Sequence, residues 1–279
     1  MRKIFYLFIA ALALVACDKG NSDEPTIKPN EGALNGKFTI NADGDQVVFS
    51  QGNLQYVGTW QFATNQWDIF GDTQADNHRD LFGWGTGKAP NNVSTENSNY
   101  ANYREWGANP ITNGGNADSL WRTLTDTEWQ YLFFTRTDAA TLFALGSVNG
   151  VDGTILLPDD WTCPSGVSFT ASTTKGLAAE GTWYYHNDNK DNFTHNTYTA
   201  TQWKKMEGAG AVFLPAASSR TGTVMSTNPL GSHGNYWAST PYGTNDAYRL
   251  YFFSTNLSPR ETCSRKIGFS VRLVQEVKK

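Results

Sequence analysis

The sequence predicts an α+β fold, and three observations carry that prediction. Two capping boxes each open a run of apolar residues at helical spacing. Two short apolar runs end on Leu-Pro, where a strand loses its next backbone donor. The C-terminal third holds segments whose polar and apolar residues alternate, the period of a strand.

Taken in chain order, residues 1–16 read as an address. Met1-Arg2-Lys3 is basic, and Ile4 to Val15 is apolar but shorter than the roughly 20 residues that span a bilayer. Leu14-Val15-Ala16-Cys17 resembles the bacterial lipobox, which implies cleavage before Cys17 and lipidation of its thiol. Buried acyl methylenes would then supply the only membrane contact. Residues 17–36, rich in Gly, Asn, Pro and acidic side chains, read as a flexible tether. Acidic residues directly after the cysteine resemble a surface-export signal. The expectation is an outer-membrane lipoprotein, exposed at the cell surface, with one domain over residues 37–279.

Lys37 to Ile40, the Asp43-Gly44-Asp45 turn and Gln46 to Phe49 read as a hairpin with Phe38 and Ile40 inward. Residues 50–120 lack a period and read as ordered loops pinned by Trp and shaped by Gly. Thr125 and Glu128 form the first capping box, with Trp129, Leu132 and Phe133 on one face; Gly153 to Leu157 is a strand ended by Pro158. Thr199 and Gln202 form the second, with Trp203 and Met206 inward and Gly208 or Gly210 as the stop; Ala211 to Leu214 is the strand before Pro215. Both helices are expected on a common sheet. Asn235 to Thr240, Ala247 to Ser254 and Gly268 to Val274 complete the strands. In the middle one, Tyr248, Leu250 and Phe252 form a core face. Arg249, Tyr251 and Phe253 share the other face, and a cation beside two aromatics suits recognition. The competing reading is that loops from residues 50–120 cover and bury it.

Composition narrows the function. Net charge is −4 with no basic block, so nucleic acid is a poor partner. The 10 Trp, 12 Tyr and 16 Phe exclude wholesale disorder. Four His and three Cys are too few for a zinc array, and no P-loop, Gly-x-Ser-x-Gly or His-Glu-x-x-His occurs. His186 and His195 lie in an Asn-rich stretch that reads as a loop rather than a metal site. Asp159-Asp160 could serve acid–base work in a glycosidase, but such pairs more often cap a turn. An oxidising compartment favours a Cys163–Cys263 disulfide; the charges around Cys263 argue against it. Asp118-Ser119-Leu120 resembles a short O-glycosylation acceptor.

Two stretches resemble one family. Arg122-Thr123-Leu124-Thr125-Asp126-Thr127-Glu128-Trp129 is similar to the helix start of sulfatase-modifying-factor proteins, formylglycine-generating-enzyme-like members of the C-type lectin fold. Leu214-Pro215-Ala216-Ala217-Ser218-Ser219-Arg220, Tyr236-Trp237-Ala238-Ser239-Thr240, Ala247-Tyr248-Arg249-Leu250 and Gly268-Phe269-Ser270-Val271-Arg272-Leu273-Val274 resemble the C-terminal region of lectin-fold variable proteins diversified by retroelements, and related surface lipoproteins of gut bacteria. The resemblance implies two helices around a short twisted antiparallel sheet with long ordered loops, and a ligand face near the C-terminus. Carried over position by position, it implies ligand contacts at Tyr242, Thr244, Asn245, Arg249, Tyr251, Phe253, Glu261, Arg265 and Lys266, with Ser219 and Thr221 in the adjacent loop. The enzymatic relatives need two cysteines a few residues apart, and Cys163 and Cys263 are too far separated in sequence. The calcium-binding sugar motifs are missing from the sequence, so no metal or other cofactor is expected. The expectation is therefore a non-enzymatic, surface-anchored protein whose ligand is a protein or glycan on a host, phage or neighbouring cell. A formylglycine-type or glycan-processing enzyme, and a structural or pilus-tip adhesion subunit, are the alternatives.

Overall fold

A computed structural model describes residues 31–172, 184–185, 193–228 and 230–278. The signal segment, Cys17, most of the expected tether and His186 lie outside the described residues. Among those described, no helix is long and apolar enough to cross a membrane.

The predicted hairpin forms as β1 (Phe38–Thr39) and β2 (Gln46–Phe49), paired Phe38 to Val47. Asn41 Oδ1 accepts from the Asp43 and Asp45 amides and shapes the turn, with Gly44 at φ 76°. Residues 31–36 correct the expected tether boundary. Leu34 is buried and its amide donates to Phe49, and Gln51 donates to Gly32, so these residues belong to the body.

A small hairpin follows, β3 (Leu54–Tyr56) and β4 (Trp60–Phe62), then the long loops. Their fixings are indole hydrogen bonds and buried arginines. Trp84 Nε1 donates to Ala238 O at 2.9 Å and Trp237 Nε1 to Phe82 O at 2.7 Å. Arg220 is fully buried and donates to the carbonyls of Leu81, Gly222 and Asn92; Arg272 reaches Gln66 Oε1 at 2.8 Å. Burial pulls both guanidiniums down to about 10, the nearby Arg79 adding to the effect at Arg220.

After β5 (Arg122–Thr123), α1 (Asp126–Gln130) starts in the predicted capping box: Thr125 accepts from the Glu128 amide and Glu128 from the Thr125 amide. The helix runs on through a wider turn in which the Arg136 amide bonds Tyr131 O. Trp129, Leu132 and Phe133 are buried as their spacing predicts. β6 (Phe143–Val148) and β7 (Val151–Leu156) form a hairpin that the sequence reading recognised only in its second half. β8 (Tyr184–Tyr185) and β9 (Thr197–Tyr198) precede α2 (Ala200–Gly208), whose capping box at Thr199 and Gln202 is also complete. β10 (Val212–Pro215) then pairs with β7.

The short strands β11 (Arg220–Thr221) and β12 (Val224–Met225) lead to the main sheet: β13 (His233–Tyr242), β14 (Asp246–Phe253) and β15 (Asn256–Ser264). β16 (Ile267–Gly268) and β17 (Leu273–Glu276) end the chain. β17 sits between β2 and β5, joining the two ends of the body.

The α+β class is correct, but the arrangement differs in three ways. The described strands sort into five small sheets, not one. The helices do not share one face: α1 packs with Leu250 and Phe252 beneath the main sheet, whereas α2 places Trp203 and Met206 against Ile155 and Phe213 of β7 and β10. Gly268 to Val274 is not one strand, because Phe269 bridges Phe82 and Ser270 bridges Tyr236 before β17 begins. In the Asp159-Asp160 pair, the first carboxylate is tied into the scaffold. Asp159 accepts from Thr39 N and Oγ1, Gln46 Nε2 and Arg136 Nη1, clasping the first hairpin to the end of α1.

Candidate functional site

The site is built on the face of the main sheet away from α1. In β14, Tyr236-paired Leu250 and Gly234-paired Phe252 point to the core, so Arg249, Tyr251 and Phe253 point the other way. Gly234 is required here: a Cβ at that position would lie 1.9 Å from the Phe252 ring. β15 continues past a bulge at Pro259, where a missing amide does no harm to the ladder.

The loops of residues 50–120 cover one end of this face and leave the other open. Trp237, the cross-strand partner of Arg249, is fully buried against Phe269 with ring centroids 4.6 Å apart. From there outward the row is half-buried. The Arg249 guanidinium lies 4.4 Å from the Tyr251 ring and 4.9 Å from Phe269, and Nη1 donates to Asn235 Oδ1. Tyr251 and Phe253 are 5.7 Å apart. His233 stacks on Tyr251 at 5.9 Å and tilts over Phe253 at 5.4 Å, and Ser232 Oγ contacts its Nδ1 at 2.7 Å. The result is a continuous ledge of Arg249, Tyr251, His233 and Phe253.

A shallow groove flanks each end. One, of about 460 Å³, is lined by Ser219, Thr221, Val224, Arg249, Cys263 and Phe269, among others. The other, of about 360 Å³, is lined by Asp152, Phe193, Leu230, His233 and Phe253. Val224 (69% exposed) of β12 lines the first groove and Leu230 (42%) the second, so each groove has an exposed apolar side chain at its wall.

Burial sets the electrostatics. It draws Arg249 down from its ordinary value, against the fields of Cys263, Glu261 and Tyr251, and it pushes Tyr251 and Glu261 up against the field of Arg249. Burial lowers His233, and Arg249 lowers it further. Burial also raises the Cys263 thiol.

The structure brings Ser219, Thr221 and Arg249 to one groove, with Tyr251 and Phe253 on the adjoining ledge and Glu261 opposite Arg249 across the β14–β15 pair. Tyr242, Thr244 and Asn245 are exposed at the far end of the β13–β14 hairpin, where Tyr242 meets the edge of Tyr248. Lys266 is half-buried beside that end, its amide donating to Asn97. Arg265 is a correction. It is 5% exposed, lies over the Trp84 ring at 4.4 Å and donates to the carbonyls of Asp246 and Gly243, so its side chain is a buried brace of the hairpin turn and not part of the open surface. Cys163 and Cys263 are both free thiols, which removes the disulfide. His195 is exposed, and among the described residues no group of His, Cys, Asp and Glu is placed to hold a metal.

Sequence reasoning missed His233, Val224 and Leu230. His233 reaches the ledge only through its register opposite Phe253, which no single-strand pattern reveals. Against known proteins, the chain matches no family model, no curated protein and no solved structure.

Proposed function

We propose that this protein is a non-enzymatic, surface-anchored receptor or adhesin that recognises a protein or glycan through the Arg249–Tyr251–His233–Phe253 ledge and its grooves. In this reading the body is a C-type-lectin-like fold of the formylglycine-generating-enzyme type, similar to retroelement-diversified variable proteins. Cys17 carries the lipid that holds it on the outer membrane, and the ligand sits on a host, phage or neighbouring cell. The observation that carries the reading is the half-buried row of a cation and three rings on strands whose opposite side chains are core. Rings and a stacked guanidinium lose little freedom on contact, so a partner gains area without a large ordering cost.

The test compares wild-type protein with the Arg249→Ala, Tyr251→Ala, Phe253→Ala triple variant on immobilised glycans and intact cells. The reading expects the variant to keep its cooperative melt and lose binding by at least about tenfold, given the weight of aromatic and Arg anchors. Retained binding, or a collapsed melt, overturns it.

A further inference from the structure

The groove beside Arg249 holds a guanidinium with an unfilled donor. Among the described residues Arg249 makes one hydrogen bond, from Nη1 to Asn235 Oδ1, and no ion pair. Its Nε is buried without an acceptor. The two rings at 4.4 and 4.9 Å hold the guanidinium in place, so it is preorganised toward a ligand in the groove it lines. The remaining polar lining is the Cys263 thiol and four hydroxyls, of Ser219, Thr221, Ser226 and Thr227. The volume falls within the roughly 300–1,000 Å³ of small-ligand sites.

Resting on the recognition reading above, we propose that this groove binds an acidic sugar, with Arg249 taking its carboxylate and the four hydroxyl side chains meeting the sugar hydroxyls. Four features select that ligand. A planar carboxylate matches a planar guanidinium, and a charge-assisted N–H bond is the strong kind. Arg249 is the sole cation of the lining and already feels Glu261 from across the strand pair, so a singly charged carboxylate meets less repulsion there than a doubly charged phosphate. A peptide would add to a strand edge, but the strands at the rim, β11 and β12, are two residues each, too short for a ladder. Val224, exposed at the mouth, faces the apolar side of a sugar ring.

Titration calorimetry tests this with glucuronic acid and N-acetylneuraminic acid, with glucose and glucuronamide as uncharged counterparts and a tripeptide with a free C-terminus. The expected result is an acid bound at least about tenfold more tightly than its uncharged counterpart, the worth of one charge-assisted bond. Arg249→Gln is expected to erase the preference. Since Arg249 also packs on two rings, Thr221→Glu provides a second variant on the exposed rim. It brings a like charge to the carboxylate and is expected to weaken the acid at least about tenfold while leaving the melt unchanged. Equal affinity for acid and neutral sugar, no binding of either acid, or binding of the tripeptide alone overturns the proposal. Any of those results, with cell or glycan binding still lost in the triple variant, discards the acid and keeps the recognition face.

Discussion

Arg249 and Arg265 lie close in sequence and carry the same charge, yet they do opposite jobs. Arg265 spends its donors on the Asp246 and Gly243 carbonyls, whereas Arg249 has one neutral acceptor and two ring faces. The difference is in acceptors, not in residue type. Asp159 makes the same point among the acids. Its carboxylate meets Arg136 at 2.9 Å, and that guanidinium is almost wholly buried. Asp159→Ala would strand a buried cation and release the first hairpin from α1. The expected loss is about 3 kcal/mol in urea unfolding, since the carboxylate is partly exposed and the arginine is not. A loss under about 1 kcal/mol would mean that water replaces the carboxylate at no cost.

At the scale of elements, β13 and β14 carry a pH dependence. His233 sits on β13 with its ring against Tyr251 and Phe253; the Arg249 charge reaches it from β14, and Asp152 of β7 lines the same groove. Its folded value lies below the ordinary 6.5, first through burial and then through Arg249. The neutral ring is the form that folding favours. Its contribution is therefore complete above about pH 6.5 and is lost as pH falls through the depressed folded value. Melting temperature against pH, from 8 down to 5, is expected to fall more steeply for wild-type than for His233→Gln; parallel curves would contradict this. The elements themselves were unevenly legible. Both capping boxes, the strands β1, β7, β10 and β14, and the inward faces of β1 and β14 follow from local chemistry and appear as read. β15 was not legible, because Asn256 to Ser264 has no clean alternation and Pro259 argues against a strand; only the bulge reconciles it. β6 was missed because all its residues are buried, which erases the two-residue period. The site was half legible: alternation gave Arg249, Tyr251 and Phe253 a shared face, but register supplied His233 and the fold of the loops decided which end stays open.

For the molecule as a whole, the long loops and the chain ends divide one sheet face into a covered part and an open part. Trp84, Trp237 and Phe269 close the covered part through indole bonds and ring contacts, and Arg220 and Arg272 tie the loops to the strands beneath. β17 returns to the first hairpin, so the scaffold behind the ledge is closed. A rigid back with a half-buried aromatic front is what separates recognition from core, and stability distinguishes the two. The most direct measurement is the urea unfolding free energy of the Tyr251→Ala, Phe253→Ala double variant against wild-type. A recognition ledge predicts a combined loss below about 3 kcal/mol, because half-buried rings forfeit only part of their transfer energy. A loss of about 6 kcal/mol or more, the sum for two core aromatics, would place both rings in the interior and contradict the account.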